Sequence, residues 1–121
     1  MIDIGYASSR WEKVCTDQRA ATRILKDAGL FTVLVERLEH VRAFDHVAEI
    51  PPGGTKDWHP LKGDRKNQWS ITIRKPYVIC FAAAGPYEVD ENGSVKPNTV
   101  KALEVVFVGD YHPKRRRGRR K

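Results

Sequence analysis

A histidine and five basic side chains crowd the segment HPLKGDRKNQWSITIRK (residues 59–75): His59, Lys62, Arg65, Lys66, Arg74 and Lys75. Histidine can give or take a proton near neutral pH, and Lys or Arg can hold developing negative charge. These residue types suit metal-free cleavage of RNA, because RNA carries its own nucleophile, the 2′-hydroxyl. The segment therefore predicts an RNA-phosphate site. We expect the sheet to bring residues 59–62 near residues 110–112, so that His112 joins it.

Each of these residues also has a plainer interpretation. A histidine before a proline is often a turn residue, and Lys62-Gly63-Asp64 can form a turn by itself. Arg65 and Lys66 can be solvated loop charges, and Tyr111 and His112 can simply close the last strand. Residue types alone leave both interpretations open.

The sequence lacks the motifs by which most enzyme classes can be recognised. The four histidines form no metal-ligand spacing, and neither a G-x-S-x-G elbow nor a nucleotide-binding glycine motif occurs. GGTK (53–56) does not satisfy the phosphate-loop pattern. The sequence therefore predicts no metal and no cofactor.

The net charge of +7 lies entirely at the C-terminus. The last eight residues, KRRRGRRK, hold seven of the 22 Lys and Arg, so residues 1–113 carry 15 basic against 15 acidic side chains. Such a block of like charges predicts that residues 114–121 form a disordered tail that binds a polyanion. We expect its basic residues to contact RNA, Lys114, Arg115, Arg116 and Arg117 among them; the alternative is a solvated tail that raises solubility.

Length and composition favour a single cytoplasmic domain over residues 1–113. A chain of 121 residues is too short for two cores. No apolar run is long enough to cross a bilayer, and the start lacks the order of a secretion signal. Cys15 and Cys80 lie far apart, which indicates reduced thiols, with Cys80 packed in a strand.

The apolar patterns predict an α+β fold with helices on one face of a twisted antiparallel sheet. MIDIGYA alternates as a first strand, and Ser9 with Glu12 has capping-box spacing for a helix. Asp17 can cap a second helical region, with a break at Gly29. Its predicted apolar stripe is Ile24, Ala28, Phe31, Val35, Leu38 and Val41.

Three strands follow a loop rich in proline and glycine. In QWSITIRK, Trp69, Ile71 and Ile73 share the face that meets the helices, and Ser70, Thr72 and Arg74 share the open face. The second strand, YVICFAAA, is apolar on both sides and therefore central. VKALEVVFVGDYH supplies the last strand.

The motifs HPLKGDRKNQWSITIR, YVICF and DYH resemble the HigB-type killer proteins of the RelE/ParE toxin superfamily, and the resemblance covers most of residues 1–112. It implies a RelE-like fold and a toxin that cuts translated mRNA on the ribosome without metal. It also implies inhibition by a HigA-like antitoxin with a helix-turn-helix domain.

The resemblance implies roles for individual residues. Lys62 and Arg74 would brace the phosphate, His112 would act as general acid or base, and Tyr111 would stack on or orient a nucleotide. His59 and Asp110 would support the site.

One position departs from the pattern: Val78 stands where the family usually places an arginine in Y-R-I-C-F. A transition-state contact of this kind contributes about 3 kcal/mol. Two alternatives therefore stay open beside a nuclease. They are a degenerate toxin that only binds its antitoxin, and a basic nucleic-acid-binding module dominated by the tail.

Overall fold

The structure, a computed structural model, describes residues 1–110 of the chain. It contains five strands and three α-helices in this part. In chain order they are β1 (Asp3–Tyr6), α1 (Ser9–Thr16), α2 (Gln18–Leu25), α3 (Leu30–Arg42), β2 (His59–Pro60), β3 (Gln68–Arg74), β4 (Tyr77–Ala84) and β5 (Ala102–Gly109). None of the helices in residues 1–110 has the length and apolar content needed to span a bilayer.

The five strands form one sheet in the order β1-β5-β4-β3-β2. Pairs β5-β4, β4-β3 and β3-β2 are antiparallel, whereas β1 runs parallel to β5. Because β1 is separated from the other strands by all three helices, it is not constrained to the antiparallel direction that a tight connection imposes. The predicted α+β architecture with helices on a mainly antiparallel sheet is confirmed.

The helix starts are set by short polar side chains. Asp17 caps α2 by accepting a hydrogen bond from Ala20 N–H, as predicted. The cap of α1 is Ser8, one residue before the predicted Ser9, because it is the Ser8 hydroxyl that accepts from Trp11 N–H. A break separates α2 from α3, and Gly29 occupies the N-cap of α3.

The buried face of α3 differs from the predicted stripe. The buried residues are Leu30, Leu34, Leu38 and Val41. Phe31 and Val35 are only half-buried, and Ala28 is exposed. The helix is therefore rotated by about one residue from the predicted orientation over its first two turns, while its last two core positions are correct.

The core lies between the helices and one face of the sheet. Trp69, Ile71 and Ile73 of β3 enter it, as expected. The other face, here called the outer face, carries Ser70 and Thr72 of β3; both are buried, so this face is not open at its centre as predicted.

Trp58 anchors the loop that precedes β2. Its side chain is 3% exposed and stacks on Trp69, with ring centroids 6.4 Å apart and planes 4° from parallel. The Phe81 ring of β4 lies 5.8 Å away. Because Trp58 lies between Asp57 and His59 in the chain, this packing fixes the backbone of both neighbours.

Candidate functional site

One row of residues crosses the outer face in register. His59 pairs with Ser70, Ser70 with Cys80, and Cys80 with Phe107, so the row spans β2, β3, β4 and β5. Directly opposed residues project to the same face of a sheet. The row therefore carries the His59 imidazole onto the outer face, away from the helices.

The His59 ring is oriented by its neighbours. Nδ1 lies 2.9 Å from the Asp57 carbonyl oxygen and 3.6 Å from an Asp57 carboxylate oxygen. A carbonyl can only accept, so Nδ1 carries the proton and donates it. In the neutral imidazole Nε2 is then the nitrogen with the lone pair, and it lies 3.5 Å from the Ser70 hydroxyl. This is the tautomer in which Nε2 can act as a base.

A cleft of ≈ 480 Å³ adjoins this histidine. It is lined by His59, Pro60, Leu61, Lys62, Asp64 and Arg65. The structure thus places His59, Lys62 and Arg65, three of the predicted site residues, around one cleft. Lys62 is exposed and has no ion-pair partner within residues 1–110.

Arg65 is held against the sheet. Its guanidinium lies 5.0 Å from the Phe107 ring centre and donates a 2.9 Å hydrogen bond to Gln68. Lys66, the next residue, instead extends to the β4–β5 connection, where its ammonium lies 3.5 Å from the Asn92 carbonyl oxygen. Both residues were predicted to bind RNA; Arg65 lines the cleft and Lys66 does not.

The expected convergence of Lys62 and Arg74 is wrong. Leu61 N–H donates to Gln68, which places Lys62 beside the first residue of β3, whereas Arg74 is the last. At the usual rise per residue these two ends are about 20 Å apart. Arg74 also does not project over the outer face, because its guanidinium donates to the Asp27 carboxylate at 2.9 Å in the α2–α3 loop. A register irregularity between Thr72 and Arg74 interrupts the alternation on which that prediction rested.

Asp110 does not lie beside residues 59–62. It is exposed and follows Gly109 at the end of β5, and β5 pairs with β4 rather than with β2. Three interstrand spacings separate β5 from β2, about 14 Å. Tyr111, His112, Lys114, Arg115, Arg116 and Arg117 lie outside the described residues.

Val78 lies on the outer face near one end of the sheet, where β4 begins and β5 ends. It is opposed by Thr72 on one side and Gly109 on the other, and it is 6% exposed. The position where an arginine was expected is therefore buried and apolar, and this row across β3, β4 and β5 contains no cation.

Burial makes the two thiols poor nucleophiles. It raises the pKa of Cys15 to about 12 and that of Cys80 to about 11, although Arg65 acts to lower the latter. Cys80 lies in the outer-face row but is a neutral thiol at physiological pH, so acid–base chemistry at His59 is the better-supported use of this face. Both cysteines are buried, and Cys80 lies in a strand as predicted.

Sequence reasoning missed the partners of His59. Asp57 has φ of 48°, and its carbonyl is turned toward the histidine two residues later. Ser70 was assigned only to a face of the sheet. Nothing in the local sequence pairs residue 59 with residue 70, because that contact depends on strand register. Among residues 1–110 no cluster of three or more His, Cys, Asp and Glu could hold a metal ion.

Comparison with known proteins supports the fold. The sequence matches no protein-family model and no curated protein. The structure is similar to that of a YoeB/ParE toxin from Agrobacterium tumefaciens, with a TM-score of 0.55 and 18% sequence identity, over 91% of this chain and 99% of that chain. The chain has a RelE/ParE-type toxin fold. At this level of identity the likeness concerns the architecture.

Proposed function

We propose that this chain is the toxin of a type II toxin–antitoxin pair and that it is a metal-independent endoribonuclease acting on mRNA at the ribosome. The similarity to a YoeB/ParE toxin supports the first part. The observation that carries the second part is the His59 imidazole, held with Nε2 as a base beside a cleft that contains Lys62 and Arg65. The HPLKGDR and DYH motifs favour the HigB type within this fold.

Cleavage of the RNA requires that one proton is removed from the attacking hydroxyl and that one is given to the leaving oxygen. In the proposed reaction, His59 Nε2 takes the proton of the RNA 2′-hydroxyl, and the 2′-oxygen bonds to phosphorus. Lys62 and Arg65 stabilise the negative charge of the phosphorane. The bond to the 5′-oxygen then breaks, and His112 is proposed to protonate that oxygen. The products are a 2′,3′-cyclic phosphate and a 5′-hydroxyl.

The remaining predicted residues keep proposed roles. Tyr111 is proposed to stack on a nucleotide, and Asp110 to support His112. The basic residues 114–121 are proposed to add affinity for ribosomal RNA. The proposed protein partner is a HigA-like antitoxin with a helix-turn-helix domain, and the proposed location is the cytoplasm.

A second candidate function is a toxin-like protein that binds an antitoxin without cutting RNA. The observation that favours it is that Val78, on the outer face at the start of β4, is buried and apolar. If a cation is required at that place, its absence removes a contact of about 3 kcal/mol, or roughly a hundredfold in rate.

Cleavage of ribosome-bound mRNA by the purified chain tests the proposal. Primer extension on translating ribosomes, with EDTA present, should show new 5′ ends in the coding region. His59→Ala and His112→Ala should remove them, and Lys62→Ala should reduce them strongly. Lys101→Ala, at an exposed lysine immediately before β5, is the matched control and should behave as the unmodified chain.

Growth arrest on induction distinguishes the two candidates. Arrest that requires His59 and His112 supports the nuclease. The second candidate is supported if the protein neither cuts mRNA nor arrests growth but copurifies with the product of a neighbouring helix-turn-helix gene. Cleavage that persists in both histidine variants contradicts the mechanism.

A further inference from the structure

A second cavity is lined by Asp57, the residue whose carbonyl oxygen lies 2.9 Å from His59 Nδ1. It measures ≈ 640 Å³ and opens at the edge of β3. Its walls are formed by Arg37, Gly54, Thr55, Asp57, Thr72, Ile73, Arg74 and Lys75. Three of these are cations, which come from α3, the end of β3 and the turn that follows β3. Asp57 is the one acid among them, and its carboxylate lies 3.6 Å from His59 Nδ1.

Arg37 brings an ordered guanidinium to this cavity, where it is ion-paired with the Glu36 carboxylate at 2.7 Å. Its side chain is 12% exposed, and its Nε donates a 2.8 Å hydrogen bond to the Thr72 carbonyl oxygen at the β3 edge. A guanidinium has five N–H donors in a rigid fork, so this bond and the one to Glu36 leave donors for a further acceptor. Arg37 is therefore an ordered cation that can still bind an oxyanion.

Two further cations are available at the mouth of the cavity. Lys75 is exposed and has no hydrogen-bond or ion-pair partner within residues 1–110. Arg74 is 64% exposed and bound only to Asp27 in the same region. Surface ion pairs contribute little in water, so a phosphate can replace the Asp27 carboxylate on Arg74. The hydroxyl of Thr55 adds a neutral donor on the loop side.

We propose that this cavity is a second phosphate-binding site, which holds a backbone phosphate of single-stranded RNA a few nucleotides from the linkage at His59. The inference rests on the proposed function, because it takes the same RNA to occupy both cavities. His59 is paired with Ser70, and Ser70 to Arg74 spans about 13 Å of β3. Asp57 lines this cavity and its carbonyl oxygen lies 2.9 Å from His59 Nδ1, so the two cavities are lined by residues in direct contact. Arg74 then acts in substrate binding and not at the reacting phosphate.

Binding of a short 2′-O-methyl RNA oligonucleotide to the whole chain tests this site without cleavage. Fluorescence anisotropy over a range of salt concentrations gives the slope of log K against log salt. Each lost phosphate contact lowers the magnitude of that slope by about 0.7 for a single strand. Arg74→Ala and Lys75→Ala should each produce this change with a several-fold loss of affinity. Lys101→Ala, which removes the same charge elsewhere, should leave the slope unchanged.

Neutralising Asp27 should have the opposite effect. Asp27→Asn frees Arg74 for the phosphate and should raise RNA affinity up to about fivefold, the range of a surface ion pair. Glu91→Gln, an exposed acid in the β4–β5 connection, controls for the general charge change. In the Arg74→Ala background Asp27→Asn should have no effect, because the two side chains act as a pair.

The outcomes separate this site from the nuclease proposal. If the salt slope of Arg74→Ala and Lys75→Ala equals that of the unmodified chain, the second phosphate site is wrong even where ribosome-bound mRNA is cut. If both variants lower the slope and no cleavage of mRNA occurs, the chain binds RNA in this cavity and the nuclease proposal fails. An equal gain in affinity from Asp27→Asn with and without Arg74 also contradicts the site.

Discussion

Replacing Trp58 should both destabilise the protein and displace the His59 side chain. The ring is 3% exposed and packs against both Trp69 and Phe81. A buried tryptophan covers roughly 150–250 Å² of surface, which at about 25 cal/mol per Å² amounts to about 4–6 kcal/mol. Measured truncations of this kind cost about 3–5 kcal/mol. We expect Trp58→Ala to lower the free energy of unfolding by about 4 kcal/mol.

Urea unfolding followed by circular dichroism measures this change. Trp58→Phe keeps an aromatic ring in the stack and should lose only about 1–2 kcal/mol. Tyr87→Ala, at an exposed aromatic residue, is the control and should change stability by less than about 0.5 kcal/mol. Domains of this size have about 5–15 kcal/mol of stability, so Trp58→Ala should still be folded at low temperature.

The functional consequence separates anchoring from general destabilisation. Under folding conditions Trp58→Ala should cleave RNA more slowly, because the Asp57 carbonyl no longer fixes the His59 ring. Trp58→Phe should restore most of the rate. A loss of stability below about 1 kcal/mol in Trp58→Ala would refute the reasoning that this ring anchors the loop. So would unchanged cleavage by the folded variant.

Three further expectations concern titratable groups. His59→Ala should slow single-turnover RNA cleavage by about 100- to 10,000-fold, the range of a lost general base, while the midpoint of thermal unfolding stays nearly constant; a change below threefold contradicts the assignment. The Gly29 N–H and the Arg74 guanidinium lower the pKa of the Asp27 carboxyl, so its stabilising contribution is present above the ordinary carboxyl pKa and is lost as pH falls through the lowered value. The stability difference between the unmodified chain and Asp27→Asn, from urea titrations, should therefore shrink from neutral toward acidic pH. Cys15 and Cys80 should react with iodoacetamide only after denaturation, because burial raises the pKa of both thiols; labelling of the native chain by mass spectrometry contradicts this.

Local rules predicted the secondary structure well. The cap at Asp17 and the break at Gly29 depend on neighbouring residues alone, and both are confirmed. The rotation of α3 was not predicted because Leu30 and Phe31 are both apolar. The helical spacing of apolar residues is therefore compatible with either one as the buried residue. Packing against the sheet selected Leu30.

Some of the predicted site residues lie together in the structure and others do not. His59, Lys62 and Arg65 lie within seven residues of one another and share a cleft, since a short segment keeps its members close in any fold. The placement of Arg74 failed because it assumed regular alternation along β3, and the strand is irregular just before its end.

The sequence by itself determined which chemical groups are available and the approximate positions of the helices and the long strands, since both follow from residue type and short-range contacts. Only the tertiary structure decided which groups meet. The pairing of His59 with Ser70 crosses 11 residues, and that of Arg74 with Asp27 crosses 47. Contacts at such separations depend on strand register and on how the helices pack across the sheet, and these properties belong to the whole folded chain.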